Sequence, residues 1–266
     1  MMSEAVDLSI FSMLMCGVLL LVPIILGTYL KLGITKKLLI SSSRMVIQLI
    51  LIGFFLEFLF KLNNPLVNFL WFLVMIFSAN VSIINNSGLK FNQFIYPIFF
   101  SILLSNVFVV MYFNYFIVKL EMIFDARYMI AIGGMVLGNS LRANVVGLGD
   151  FYKSINREEQ LYLYKLSLGA SRYEALLPFA KRSFLSALNP TLATMATVGI
   201  VSLPGVMTGQ ILGGSVPLVA IKYQIAIMIA IVTSTVLSIS LSLLFTVKYT
   251  FNKSGVLNKT IFKQKK

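Results

Sequence analysis

The sequence predicts an all-α, polytopic membrane protein with about seven transmembrane helices, its N-terminus outside and its C-terminus cytoplasmic. Three observations carry this prediction. Of 266 residues, 58% are hydrophobic and only 12% charged, against about 25% charged in a soluble domain. The mean hydropathy is +0.91, more apolar surface than a soluble core of this length buries. The apolar residues fall in runs of about 20, the length that crosses a bilayer as a helix. The whole of 1–266 reads as a single transmembrane domain.

The runs follow in order. The first is 8–30, "LSIFSMLMCGVLLLVPIILGTYL". It is preceded by "MMSEAVD", which is acidic where a cleavable signal opens with positive charge, so this run reads as a permanent helix. The second is 38–60, with Arg44 near its start. The third is 66–86 and the fourth 94–116. The fifth, 128–148, holds "GGMVLGNSLRANVVGL", with Arg142 expected near the inner interface. The sixth is 187–208, opening on Asn189-Pro190, and the seventh is 220–246. Proline early in a helix is natural, because its missing N–H would have no partner there.

Charge sets the orientation. With the N-terminus outside, eighteen of the 22 Lys and Arg residues fall on the inner side, as the positive-inside rule requires. Only Lys61, Lys119, Arg127 and Lys222 fall outside. The net charge of +13 is therefore topological. No basic face on a soluble domain exists to hold nucleic acid. The basic tail serves as a topology determinant or as a contact for anionic membrane lipids.

Segment 150–186 stands apart as the longest polar stretch. Its apolar residues recur at helical spacing: Leu161, Tyr164 and Leu168, then Tyr173, Leu176, Leu177 and Phe184. Gly169 separates the halves. Ser171 with Glu174 three residues later is a capping-box pattern for a second helix. Pro178 argues against one straight helix. The segment predicts two short amphipathic helices between spans five and six, acting either as a surface connector or as a partner-docking element.

Catalytic signatures are missing. No G-x-x-x-x-G-K-[ST] loop occurs, so ATP hydrolysis is not assigned to this chain. Without histidine there is no H-E-x-x-H motif and no Ser–His–Asp triad. The single cysteine, Cys16, forms no intramolecular disulfide and no cysteine metal cluster. The chain is therefore expected not to be an enzyme and to bind no cofactor of its own.

Polar residues inside the spans are the candidates for a pathway. Gln48 and Glu57 lie on span two, on different faces; Glu57 also reads as an interfacial residue reaching water. Asn139, Ser140 and Asn144 cluster with glycines on span five, for helix packing or for lining a pathway. Thr191, Thr194 and Thr197 recur every three residues with Met195 on span six. The stretch 199–224, "GIVSLPGVMTGQILGGSVPLVAIKYQ", breaks an oily chain with five glycines and two prolines. Met207, Thr208, Gln210, Tyr223 and Gln224 are candidate gate residues there, with Pro204, Gly205, Gly209 and Pro217 as hinges. A plain tight hairpin explains the same stretch.

Four stretches carry a family resemblance: "SRMVIQLILIGFFLEFLF" at 43–60, "GMVLGNSLRANV" at 134–145, "LGAS" at 168–171, and "VGIVSLPGVMTGQILGGSVPLVAIKYQIAIM" at 198–228. The chain resembles the small ABC-type permeases associated with iron export and metal resistance in bacteria. It departs from their pattern at Leu163, where Glu is common, at Arg142, where Asn is common, and around Pro217, where Val216 and Val219 replace an acid.

The resemblance implies a homodimeric permease in the inner (plasma) membrane. It would bind two ATPase subunits that hold the ATP, dock them through 153–184, and move iron or a related metal species by alternating access. Leu168, Gly169, Ala170, Ser171, Arg172 and Glu174 would form the coupling contact. Two other expectations stay open: a permease for a small organic or amphipathic molecule, and a non-transporting scaffold or membrane-embedded enzyme.

Overall fold

In the computed structural model, which describes residues 7–252 and 255–263, the long apolar runs other than 187–208 form helices. The acidic start at residues 1–6 lies outside the described residues, as do Lys253, Lys265 and Lys266 of the tail. Ten α-helices follow in order: α1 (Ile10–Val18), α2 (Leu21–Tyr29), α3 (Thr35–Leu62), α4 (Pro65–Ser87), α5 (Phe91–Tyr112), α6 (Ala126–Arg157), α7 (Glu159–Ser167), α8 (Arg172–Thr197), α9 (Gly205–Leu212) and α10 (Pro217–Thr250). A π-helical turn, Phe113–Val118, extends α5, and a 3-10 turn, Lys259–Ile261, ends the described chain. The protein is an all-α polytopic membrane protein. Among the described residues, six helical stretches are long and apolar enough to cross a bilayer: Ile10–Tyr29, Thr35–Leu62, Pro65–Ser87, Phe91–Val118, Ala126–Arg157 and Pro217–Thr250.

The expected sixth apolar span, 187–208, is not one helix. Its first half belongs to α8, which starts far earlier, at Arg172, and runs through both Pro178 and Pro190. The capping box explains the early start. Ser171 Oγ accepts from the Glu174 N–H, and Glu174 Oε2 accepts from the Ser171 N–H at 2.8 Å. Pro178 lies seven residues, about two turns, beyond that cap, and α8 runs on through it. Two short helices over 150–186 are therefore replaced by one short helix and one long one.

The second half of the expected span fails for a backbone reason. Gly199 takes φ +88, a region open to glycine and costly for other residues. Its N–H donates to the Ser202 carbonyl at 2.9 Å, closing a tight turn. Pro204 then precedes α9 in an extended conformation. The first run also divides. Around Leu19–Val22 the backbone uses i→i−3 hydrogen bonds, because Pro23 has no N–H to bond the Leu19 carbonyl.

Helix α6 is the hub, packed against α4, α5, α8 and α10. Its glycines set the distances. A Cβ added at Gly133 would stand 2.7 Å from the Phe72 ring of α4, and one at Gly147 would stand 3.3 Å from Ala187 of α8. By contrast, α1 and α2 bury only Gly27, and α3 buries only Leu59.

Polar ties lock each end of the bundle. At one end Asn63, in the left-handed region, accepts from the Ala126 N–H at 2.9 Å and donates to Asp125, joining the α3–α4 turn to the start of α6. At the other end the tail folds back as a strap. The Lys90 N–H donates to the Ile261 carbonyl, the Lys263 N–H to the Gly88 carbonyl, and Tyr162 Oη to the Gly255 carbonyl at 2.7 Å.

Substituting Gly133 by Ala should lower stability in detergent by about 1–3 kcal/mol through overpacking against Phe72. The same change at Gly138, where an added Cβ meets nothing within 4 Å, should leave the unfolding transition nearly unchanged.

Candidate functional site

The break after α8 opens a cleft of about 390 Å³ between α6, α8 and α10. Each helix offers one stripe. Met135, Asn139, Arg142, Ala143 and Val146 come from α6; Ala187, Pro190, Thr191 and Thr194 from α8; Gln224, Ile227, Met228 and Ile231 from α10. The steps of three and four residues are those that keep side chains on one helix face. Pro204, Gly205 and Val206, at the start of α9, close one side. A second cavity of about 520 Å³ shares Gln224 and Met228 with the first and adds Met195, Gly199, Leu203 and Met207.

The polar groups of the cleft are few and specific. Asn139 Nδ2 donates to the Met135 carbonyl at 2.8 Å. Thr194 Oγ1 donates to the Pro190 carbonyl at 2.9 Å. Gln224 is 6% exposed, and its Oε1 has no partner. Arg142 stands near the middle of α6 with its side chain exposed along the cleft. It makes no ion pair among the described residues.

Ser140 and Asn144 do not line this cleft. Both are fully buried on another face of α6. Ser140 Oγ and Ser234 Oγ lie 3.1 Å apart, Ser234 Oγ donates to Asn106 Oδ1 at 3.2 Å, and Asn144 Nδ2 donates to Ser238 Oγ at 2.8 Å. This chain of bonds ties α5, α6 and α10 together in the apolar interior. Asn106, Ser234 and Ser238 were missed from sequence. Their one signal was the four-residue spacing of Ser234, Ser238 and Ser242.

The remaining gate candidates separate. Pro204, Gly205 and Gln224 join the cleft, and Met207 joins the neighbouring cavity. Thr208 Oγ1 donates to the Pro204 carbonyl at 3.2 Å. The buried Oε1 of Gln210 has no partner. Gly209 accepts from the Gly213 N–H at 2.9 Å and so helps end α9, and Pro217 starts α10. Tyr223 packs with Tyr128 against the cluster of Val109, Phe113 and Ile227. Gln48 and Glu57 are exposed on α3, away from the cleft, and Glu57 pairs with Lys61 at 2.7 Å.

Leu168, Gly169, Ala170, Ser171, Arg172 and Glu174 form the tip of the α7–α8 hairpin. Gly169 takes φ +89 at the turn. Leu168 and Tyr173 are 69% and 70% exposed, an apolar display on a polar segment. The tip is held from behind by Arg172 Nη2, which donates to the Asn252 carbonyl at 3.0 Å, and by Lys259 on Glu159. Arg182 Nη1, 2.7 Å from Glu158 Oε1, holds that carboxyl below its usual range, and Arg157 adds to the effect. Ser171 does the same for Glu174 through its side chain and backbone. Burial raises the Tyr162 phenol. Among the described residues, no three His, Cys, Asp or Glu gather into a group that could hold a metal ion.

Two measurements follow from this geometry. A double-mutant cycle of Asn144→Ala and Ser238→Ala should return a coupling of about 0.6 kcal/mol, and no more than about 1.7 kcal/mol, the average and the upper limit for hydrogen bonds between membrane helices. Glu158 has a depressed carboxyl in the folded state, so its ion pair contributes fully above the unfolded carboxylate value. That contribution is lost as pH falls through the lower folded value. Melting temperatures recorded from pH 7 into the acid range should therefore fall less steeply for Glu158→Gln than for the wild type.

Several proteins of known sequence are similar to this chain. The probable iron export permease protein FetB of Escherichia coli is 30% identical over 255 residues, covering 96% of each chain. Protein ALUMINUM SENSITIVE 3 of Arabidopsis thaliana is 33% identical over 229 residues, covering 79% of this chain and 76% of its own. The membrane protein YjkA of Bacillus subtilis is 29% identical over 223 residues, covering 83% of this chain and 87% of its own. No solved structure matches. The model of the Uncharacterised protein family (UPF0014) matches residues 10–251, and the chain belongs to that family of membrane proteins.

Proposed function

We propose that this chain is the membrane-spanning subunit of an ABC-type exporter for iron or a related metal species. It works as a homodimer in the plasma membrane, and a separate ATPase subunit supplies the energy. The observation that carries this reading is the continuity of α8. One helix joins the exposed hairpin tip at Ser171 to the cleft at Thr191 and Thr194. Twenty residues of helix span about 30 Å, so a push at the tip reaches the cleft through a single rigid element.

In this reading α8 is a seventh crossing beside the six apolar ones. Seven crossings put the termini on opposite sides, with the tail and the hairpin on the cytoplasmic face. The strap of Lys90, Tyr162 and Lys263 contacts belongs to that face and keeps the hairpin in register with α4, α5 and α10. The sparsely buried α1–α3 supply surface for the second copy and for lipid. The relative named for iron export supports the cargo, because its similarity covers 96% of both chains. A second reading, export of a small organic or amphipathic molecule, is favoured by the lack of a metal-binding group among the described residues.

The test is reconstitution of the chain with its ATPase in vesicles loaded with labelled iron. ATP-dependent iron movement is expected, and Gly169→Trp should abolish stimulation of the ATPase while leaving its basal rate. Normal coupling after both Gly169→Trp and deletion of 163–177 would contradict the docking role. Movement of an organic compound without iron would replace the cargo by the second reading.

A further inference from the structure

The cleft has an unusual charge for a metal route. Its one ionised side chain is Arg142, and no Asp or Glu lines it. A bare divalent cation entering there would shed water against a fixed positive charge, with only neutral oxygens offered in return. Hard cations are normally held by carboxylates and several oxygens. The other polar groups are neutral amides and a hydroxyl, which offer donors as well as an acceptor. Asn139 Nδ2 donates one bond, to the Met135 carbonyl, which leaves one of its two amide protons for a ligand. Gln224, more than nine-tenths buried, has an unpartnered Oε1, and a buried polar atom without a partner is costly unless a ligand or water satisfies it. The Thr191 hydroxyl completes the set.

We propose that this cleft binds a small oxygen-rich anion, either free or carrying a metal ion, and that Arg142 selects its charge. The inference deepens the export reading and rests on it for the cleft's role in transport. A guanidinium meets a carboxylate or other oxyanion through paired N–H donors. The amides of Asn139 and Gln224 add hydrogen bonds, and Gln224 Oε1 accepts from a hydroxyl on the ligand. A metal would then travel inside its own ligand shell, which removes the need for protein carboxylates.

The purified full-length chain in lipid nanodiscs tests this without any ATPase. Binding is measured by calorimetry for citrate, for ferric citrate, and for ferrous iron in a buffer free of chelators. Citrate, ferric citrate or both should bind, and comparison of these two arms tells whether the metal is part of the ligand. Arg142→Gln should weaken binding by about tenfold or more, the scale of a charge-assisted hydrogen bond. Arg142→Lys, which keeps the charge but loses the paired donors, should fall between the wild type and Arg142→Gln, and Gln224→Met should weaken binding several-fold. Arg142→Lys also guards against a folding defect in the glutamine variant. Failure of both citrate forms to bind, or ferrous iron binding equally to wild type and Arg142→Gln, would overturn the proposal. Anion binding without ATP-driven iron movement would keep this site and remove the export reading. Iron export unchanged in Arg142→Gln would do the reverse.

Discussion

Close packing against α6 is the constraint on which the rest of the molecule depends. Lipid tails are as apolar as leucine, so helices in a bilayer gain little by hiding apolar surface from one another. Association has to come from close contact and from hydrogen bonds. Gly133 admits the Phe72 ring, and Gly147 admits Ala187. With α4 and α8 drawn in this far, the Asn106–Ser234–Ser140 and Asn144–Ser238 bonds fall within reach on the remaining side.

The same helix sorts its polar residues by rotation. Consecutive residues on an α-helix point about 100° apart. Asn139 and Arg142 therefore face the cleft, while Ser140 and Asn144 face α5 and α10. One face spends its polar groups on cohesion and leaves Asn144 Oδ1 as its unpaired atom; the other turns Asn139 and Arg142 to the cleft. The break after Thr197 is what keeps the second face open. The turn around Gly199 carries the chain aside, and α9 returns only to rim the cleft.

The apolar crossings were legible because length and hydropathy suffice to specify a helix that must satisfy its own backbone in lipid. The capped hairpin was legible too, since Ser171 and Glu174 make a local pattern with a local cause. The extent of α8 was not. Its first half is charged and amphipathic, so hydropathy began the span only at its apolar second half, and Pro178 misled because α8 passes through a proline that local rules read as a break. A break near Pro204 was expected, yet α8 ends at Thr197, seven residues earlier. The cleft itself was out of reach, because Asn139, Thr191 and Gln224 meet only through helix packing. Their stripes carry no mark that says which neighbour they face.

The central claim is that water reaches the face formed by Asn139, Thr194 and Gln224, in a protein whose other apolar surfaces meet lipid. The chain has a single native cysteine, Cys16, so a Cys16→Ser background permits one new cysteine at a time. Reaction with a membrane-impermeant thiol reagent should be fast at 139 and 194 and slower at the buried position 224. It should be absent at Leu104 and Phe108, which are exposed on α5 and line neither cavity. Labelling at 139 and 194 no faster than at 104 and 108 would contradict the account.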